Sequence, residues 1–131
     1  PNQSLEMAKK VLKPGGKLII EVPRLDSTTF KLFKSKWPGV QAPQHTALYD
    51  KKCLLGMLEK HNLIVEAYLP YGAFPPYFYI FTGIYFKIFG KGLNLNKIIL
   101  PYFLGQFLLT PLLWFQKILN LSMQTVVCRL P

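Results

Sequence analysis

The sequence predicts an α/β fold in which helices cover a sheet with a buried strand. Residues 18–22 (LIIEV) form a nearly continuous apolar run, which is typical of a strand covered on both faces in a parallel sheet. A helical pattern and a Pro-Gly-Gly turn precede this run. The succession of helix, tight turn and central strand implies layered α/β packing.

The composition allows one modest domain and excludes a disordered chain. Of the 131 residues, 50% are apolar and 15% aromatic, so the chain should pack against itself, a partner or lipid. All six acidic residues lie before residue 67. The charged residues beyond that point are all basic: Lys87, Lys91, Lys97, Lys117 and Arg129.

The net charge of +10 does not by itself indicate a nucleic-acid-binding protein. The early lysines are spread over predicted helix ends and a loop, without a nucleic-acid-binding motif around them, so we expect no nucleic-acid partner. A solvated face or attraction to a membrane surface explains these lysines.

The sequence also predicts no metal site and no secretion signal. Cys53 and Cys128 are too few and too far apart for a zinc site. The first residues do not resemble a signal peptide, and the expected location is the cytoplasm.

Spacing and capping residues predict the first elements. Residues 4–12 place apolar side chains at helical intervals behind Ser4, a candidate N-cap. Residues 14–16 (PGG) end that helix and reverse the chain, because glycine adopts the positive φ of a tight turn. The buried strand follows, and residues 24–49 then form a long loop with one helical turn near residues 27–35.

The remaining elements are predicted further along the chain. Asp50 caps a second helix, which ends near Asn62 because asparagine tolerates the left-handed conformation. Residues 63–69 (LIVEAYL) and 123–131 (MQTVVCRLP) have the composition of strands. Ligands of open α/β sheets bind outside the carboxyl ends of the strands, so the loop of residues 24–49 is where we expect chemistry.

These segments together resemble the carboxyl-terminal half of a class I S-adenosylmethionine-dependent methyltransferase, especially the small-molecule enzymes of polysaccharide and quinone pathways. The most specific stretch is residues 11–23 (VLKPGGKLIIEVP), which is similar to the family's turn and fifth strand. Residues 63–69 resemble the sixth strand and residues 123–131 the seventh, which in this family lies antiparallel between the fifth and sixth. The resemblance covers residues 1–69 and 122–131 and implies a partial Rossmann-like methyltransferase sheet of strands five to seven.

The resemblance implies S-adenosylmethionine as the cofactor of the complete enzyme, and direct displacement of its methyl group by an acceptor atom. The family's glycine-rich loop after the first strand and its acidic residue after the second belong upstream of Pro1. No G-x-G pattern that follows a strand and opens a helix occurs in the chain, so no cofactor-binding residue is assigned to it. We therefore expect a fragment of a longer enzyme, or one piece of a split protein, that is inactive alone.

The resemblance places residues 43–45 (PQH) near the acceptor pocket. His45 is a candidate catalytic base, since an imidazole titrates near neutral pH; the alternative is that it only fixes the loop by hydrogen bonding. Pro23 and Arg24 are candidate substrate-binding residues at the end of the buried strand. Arg24 replaces the small polar residue that the family tends to have after this proline. It would meet an anionic acceptor, unless it is simply solvated.

Two aromatic residues complete the predicted acceptor site. Trp37 and Tyr49 would form walls of the substrate pocket, and the alternative is that they anchor the loop through packing.

Residues 70–121 have no counterpart in the minimal methyltransferase and predict an apolar helical insertion between the last two strands. Within it, residues 98–115 carry no charge and as a helix would extend about 27 Å, slightly less than the roughly 30 Å of a bilayer core. Three interpretations are open: a spanning hairpin, a segment in the membrane interface, and an apolar lid on the sheet or a partner subunit. A spanning hairpin would place Lys91 and Lys97 on the far side of the bilayer, so the interfacial interpretation is favoured. In that interpretation the headgroup-level aromatic residues are Tyr77, Tyr79, Tyr85, Tyr102 and Trp114.

The predicted function is methyl transfer, by a longer chain, to a small or lipid-linked acceptor such as a polyprenyl-linked sugar or a quinone precursor. The expected location is cytoplasmic, at the inner face of the membrane. The alternative is a non-catalytic membrane-associated or subunit-interaction module. In both cases an exposed sheet edge predicts homodimerisation or aggregation of the isolated chain.

Overall fold

A three-stranded sheet organises the protein. The computed structural model describes residues 1–40, 47–73, 75–90 and 103–131. The strands are β1 (Lys17–Pro23), β2 (Ile64–Leu69) and β3 (Met123–Arg129). Their order is β1-β3-β2, with β3 antiparallel to both neighbours, so that β1 and β2 are parallel to each other. The predicted place of the last strand, antiparallel between the other two, is confirmed.

Helices precede, connect and separate the strands of this sheet, and the mixed α/β character predicted from the sequence is confirmed. The first half of the chain contains α1 (Asn2–Val11), α2 (Thr28–Phe33), a 3₁₀ turn (Lys34–Lys36) and α3 (Lys51–Lys60). The described residues between β2 and β3 contain α4 (Pro76–Phe89), α5 (residues 103–109) and α6 (Leu112–Phe115).

Local signals set most of the boundaries in the first half. The turn before β1 has Gly15 at φ 75°, and the Asp50 carboxylate caps α3 by accepting the Cys53 N–H at 2.7 Å. Asn62 follows α3 at φ 55°, as predicted. Ser4 is not the N-cap of α1, because the helix begins at Asn2, before that hydroxyl.

The main core lies between one face of the sheet and the helices α1 and α3. Its fully or nearly buried members are Leu5, Leu54, Leu58, Leu63, Val126 and Cys128. The side chains of Leu18, Ile20 and Val22 in β1 pack against these residues. We call this surface of the sheet the helix-covered face.

The opposite surface of β1, which we call the open face, corrects a prediction. The sequence predicts a strand covered on both sides, yet Ile19 is 66% exposed and the exposure of β1 alternates along the strand. The physical reason is that the cover on this side reaches only the carboxyl end of β1. There Glu21 accepts the Ala73 N–H at 2.8 Å, whereas nothing comparable among the described residues covers Ile19.

A second core fixes the loop after β1 to the helical insertion. Phe33, Trp37, Tyr79 and Met123 are its buried members. The indole N–H of Trp37 donates to Thr29 Oγ1 at 2.8 Å, and its ring lies 5.4 Å from that of Tyr79 in α4. Tyr79 is therefore part of the protein interior, and its predicted position at lipid headgroups is wrong.

Two glycines inside helices give a matched test of this packing. A Cβ at Gly83 in α4 would lie 2.5 Å from Cδ2 of the buried Phe33, whereas a Cβ at Gly56 in α3 would meet nothing within 4 Å. Gly83→Ala should lower the free energy of unfolding by about 1–3 kcal/mol, because the second core would be overpacked. Gly56→Ala should raise it by about 0.5–1 kcal/mol through helix propensity. Urea unfolding of both variants measures the difference, and equal stability of the two would contradict this packing.

Candidate functional site

The chain leaves β1 through a turn that is held on both sides. The Arg24 N–H donates to Ser122 O at 2.9 Å, and the Leu25 N–H donates to Tyr49 O at the same distance. Ser122 directly precedes β3, and Tyr49 directly precedes the cap of α3. The turn after β1 is thus fixed between the start of the central strand and the start of α3.

Arg24 and Asp26 form a two-pronged ion pair in this turn. Arg24 Nε lies 2.6 Å from Asp26 Oδ1, and Nη2 lies 2.7 Å from Oδ2. The guanidinium hydrogen bonds lower the pKa of Asp26, and the carboxylate in turn raises the pKa of Arg24. Both groups are therefore charged across the physiological range, and the fork geometry fixes the direction of the guanidinium.

A chain of hydrogen bonds continues from Arg24 into the sheet. Arg24 Nη1 donates to Tyr68 Oη at 2.9 Å, and Tyr68 Oη donates to Gln124 Oε1 at 3.1 Å. The amide of Gln124, which is fully buried, donates from Nε2 to Tyr49 O at 2.9 Å. Burial raises the pKa of Tyr68, which keeps its phenol protonated as a donor. This polar chain, from Asp26 to Tyr49, joins all three strands at one end of the sheet.

An open groove lies beside the polar chain, at the amino end of α3. Its volume is about 720 Å³. The residues that line it include Arg24, Asp26, Asp50, Lys51, Lys52 and Leu55. Cations and carboxylates thus both line it, with apolar surface from Leu55 of α3. Such a surface suits a polar ligand with several hydroxyl or phosphate oxygens more than a purely apolar one.

The cations of the groove differ in how much of their bonding capacity is used. Three of the five N–H groups of Arg24 are occupied by Asp26 and Tyr68. Lys51 Nζ lies 4.4 Å from the centre of the Tyr68 ring, a cation–π distance. The remaining N–H groups of Arg24 and the ammonium of Lys51 are among the donors that this groove offers to a ligand, together with the ammonium of Lys52.

A separate apolar slot lies under the helix-covered face of β1. It has a volume of about 230 Å³ and lies between α1, β1 and α3. Leu18, Ile20, Tyr49 and Met57 are among its lining residues. The Tyr49 ring thus faces this slot, while its backbone carbonyl ends the polar chain. Burial raises the pKa of Tyr49, so its phenol is neutral at physiological pH.

The structure brings only some of the predicted site residues together. Arg24 and Tyr49 form an isolated parallel bridge through their backbones, and Pro23 is the buried last residue of β1. Trp37 has no exposed surface and lies in the second core, a placement that favours the loop-anchor interpretation over a pocket wall. His45 lies outside the described residues, and its catalytic role stays a prediction.

Sequence reasoning missed Asp26, Lys51, Tyr68 and Gln124. Gln124 carried a usable signal, because a polar amide beside the apolar residues of a buried strand needs a hydrogen-bond partner. Tyr68 and Arg24 are 44 residues apart, and no local pattern announces such a pair.

Comparison with protein-family models, with curated proteins and with solved structures finds no match to this chain. The chemistry of the groove therefore has to be inferred from its own geometry.

The ion pair predicts a pH-dependent coupling between Arg24 and Asp26. The folded-state pKa of Asp26 lies below its unfolded value, so the pair stabilises the protein above the unfolded pKa of about 4 and loses this contribution as the pH falls through the folded value. A double-mutant cycle of Arg24→Gln and Asp26→Asn should give a coupling energy of about 1 kcal/mol at neutral pH. Unfolding titrations should show the coupling shrinking below pH 4. A coupling that is the same in acid would contradict the ion pair.

Proposed function

We propose that this chain is the carboxyl-terminal portion of an S-adenosylmethionine-dependent methyltransferase that acts on a small or lipid-linked acceptor. The observation that carries the proposal is the sheet topology. A last strand that runs antiparallel between two parallel strands, which are joined through α3, has the order and directions expected of strands five to seven.

The unpaired side of β1 supports the same proposal. In the described part of the chain β1 and β2 are the two end members of the sheet, and β3 is the neighbour of β1 on its paired side. The fourth strand of such an enzyme would pair with this free edge. The partly exposed apolar residues of β1 and the apolar slot beneath it are what an incomplete interior of the sheet would leave.

The described residues do not fit a site for the cofactor. The groove and the slot contain no glycine-rich turn that leads from a strand into a helix, which is the feature that holds such a cofactor in this family. We therefore assign to this chain only the acceptor side of the reaction. In that role the donors of Arg24 and Lys51 would bind acceptor oxygens and orient them, and alignment of two substrates supplies much of the rate of a direct transfer.

The rigidity of Arg24 supports this positioning role. A guanidinium held by Asp26 and Tyr68 does not have to be ordered when the acceptor binds, so less conformational entropy is lost on binding.

This proposal predicts a division between cofactor and acceptor binding. Calorimetric titration of the 131-residue chain with S-adenosylmethionine should show no tight binding. The complete reading frame that encodes it should bind the cofactor and transfer a labelled methyl group to an acceptor in a lipid or small-molecule extract. Arg24→Gln in that protein should raise the acceptor KM about tenfold, the effect of losing one charged hydrogen bond, and leave cofactor affinity unchanged.

Arg129→Gln is the matched control for this experiment, since Arg129 pairs with Glu66 on the open face, away from the groove. Arg129→Gln should leave both the acceptor KM and the cofactor affinity unchanged. Tight cofactor binding by the isolated chain, or none by the complete reading frame, would overturn the proposal.

The alternative, a non-catalytic interaction module, is favoured by the same free edge, which is a template for pairing with another strand. The isolated chain should then self-associate in sedimentation experiments. Ile19→Lys should weaken that association, because it places a charge on the exposed part of β1. Val11→Lys, at an exposed position of α1, is the control and should not. A chain that is monomeric at every concentration would refute pairing through this edge.

A further inference from the structure

The helical insertion exposes large apolar side chains in a regular pattern. In α5, Leu104, Phe107 and Leu108 are more than half exposed, with Phe107 at 78%. Trp114 and Ile118 follow at 85% and 82%. The exposed residues of α5 are spaced by three or four positions and so share one face of that helix, and Trp114 in α6 and Ile118 in the turn after it add further exposed apolar side chains. Single exposed apolar residues are common, whereas a set of this size marks an interaction surface.

The same helices are firmly attached to the protein on their other side. Gly105 of α5 lies against the Phe81 ring, since a Cβ there would be 2.6 Å from it. Within α4, Tyr79, Thr82 and Phe86 are buried, and Ile88 and Phe89 at its end are exposed. The exposed surface therefore belongs to an ordered unit with one face already packed.

The end of the insertion is tied to the loop that carries Arg24. The backbone N–H groups of Thr28 and Thr29 donate to Asn120 O and Leu121 O at 2.8 and 3.1 Å. The Asn120 side chain also donates to Asp26 O at 3.2 Å. The apolar surface is thus connected through a short, hydrogen-bonded path to the carboxyl end of β1.

The charged residues of the segments that form this surface all have one sign. Lys87 and Lys117 are exposed directly beside Ile88 and Ile118, and no acidic residue follows Glu66 in the sequence. A protein partner usually meets a rim of mixed polar residues. An apolar surface whose own segments carry lysines and no acidic residue is instead complementary to an anionic lipid surface.

We propose that the exposed apolar residues of α5, α6 and the end of α4, together with Lys87 and Lys117, dock onto the surface of an anionic bilayer. Within the described residues, no helix has the length and apolar character needed to cross a bilayer. In the proposed arrangement the side chains enter the headgroup and upper acyl region while the helices lie along the surface. Trp114, with its amphipathic ring, lies at the headgroup level. This inference does not depend on methyl transfer, and either can fail without the other.

Vesicle flotation tests the docking surface. The chain should float with vesicles of phosphatidylcholine and phosphatidylglycerol, and more weakly with phosphatidylcholine alone. Phe107→Ser/Leu108→Ser should reduce binding to both vesicles by roughly 100-fold, because two apolar side chains no longer leave water. Lys87→Gln/Lys117→Gln should reduce binding to the anionic vesicles by about 25-fold and leave the neutral ones unchanged.

The controls use equivalent residues elsewhere on the surface. Val11→Ser removes an exposed apolar residue of α1, and Lys10→Gln/Lys13→Gln removes two exposed lysines. Neither variant should change flotation by more than about twofold.

Tryptophan fluorescence gives a second measurement of docking. The emission maximum of Trp114 should shift to the blue when the chain binds anionic vesicles. Trp114→Phe should lose that shift, because Trp37 is already buried. Circular dichroism and urea unfolding establish that each variant is folded.

Three results would overturn the proposal. The first is no flotation with either vesicle, and the second is an equal loss of vesicle binding in the lysine variant and its lysine control. The third is a dimer that does not float and that Phe107→Ser/Leu108→Ser converts to monomer. The last would identify a second copy of the chain as the occupant of the surface.

Discussion

The buried amide of Gln124 is the constraint on which the candidate site depends. It has no exposed surface, so both ends of its amide need partners within the protein, and an unpaired buried donor or acceptor costs about 1–3 kcal/mol. Tyr68 supplies a hydroxyl donor and Tyr49 a carbonyl acceptor. The hydrogen bonds of the Gln124 amide therefore fix β2 through Tyr68 and the segment before α3 through Tyr49. Because Tyr68 also accepts from Arg24, the position of Arg24 is fixed as well.

The direction of β3 explains why these groups meet. Because β3 is antiparallel to both neighbours, β1 and β2 end at the same edge of the sheet, and β3 begins there. Arg24 follows the last residue of β1, Tyr68 is the penultimate residue of β2, and Gln124 is the second residue of β3. A bulge in β2 between Val65 and Ala67 brings Tyr68 opposite Val126, and therefore onto the same face of the sheet as Gln124. The sheet topology thus creates the place for a site before any functional residue is considered.

The sequence predicted features that depend on near neighbours. Asp50 as a cap, Gly15 in a turn and Asn62 after a helix each act within a few residues, and the structure confirms all three. Features that depend on distant packing were missed. Trp37 is enclosed because Tyr79, 42 positions away, packs on it, and the exposed side of β1 depends on where the insertion folds back. The groove lies at the edge of the sheet where the sequence predicts ligand binding, but of its polar chain only Arg24 and Tyr49 were named, and ligand binding there stays a prediction.

The two exposed apolar regions differ in what surrounds them, and this difference points to two kinds of occupant. Near Ile19, Glu66 pairs with both Lys17 and Arg129 at 2.9 and 3.1 Å, so the apolar patch has charges of both signs and free backbone groups of an edge strand beside it. Another strand can hydrogen-bond to the unpaired backbone N–H and C=O groups of this edge, whereas lipid cannot. The insertion has helices whose backbone groups bond internally, and the charged residues of its own sequence are all lysines. A bilayer surface accepts that arrangement without leaving polar groups unpaired, which is why we assign a strand to the first region and lipid to the second.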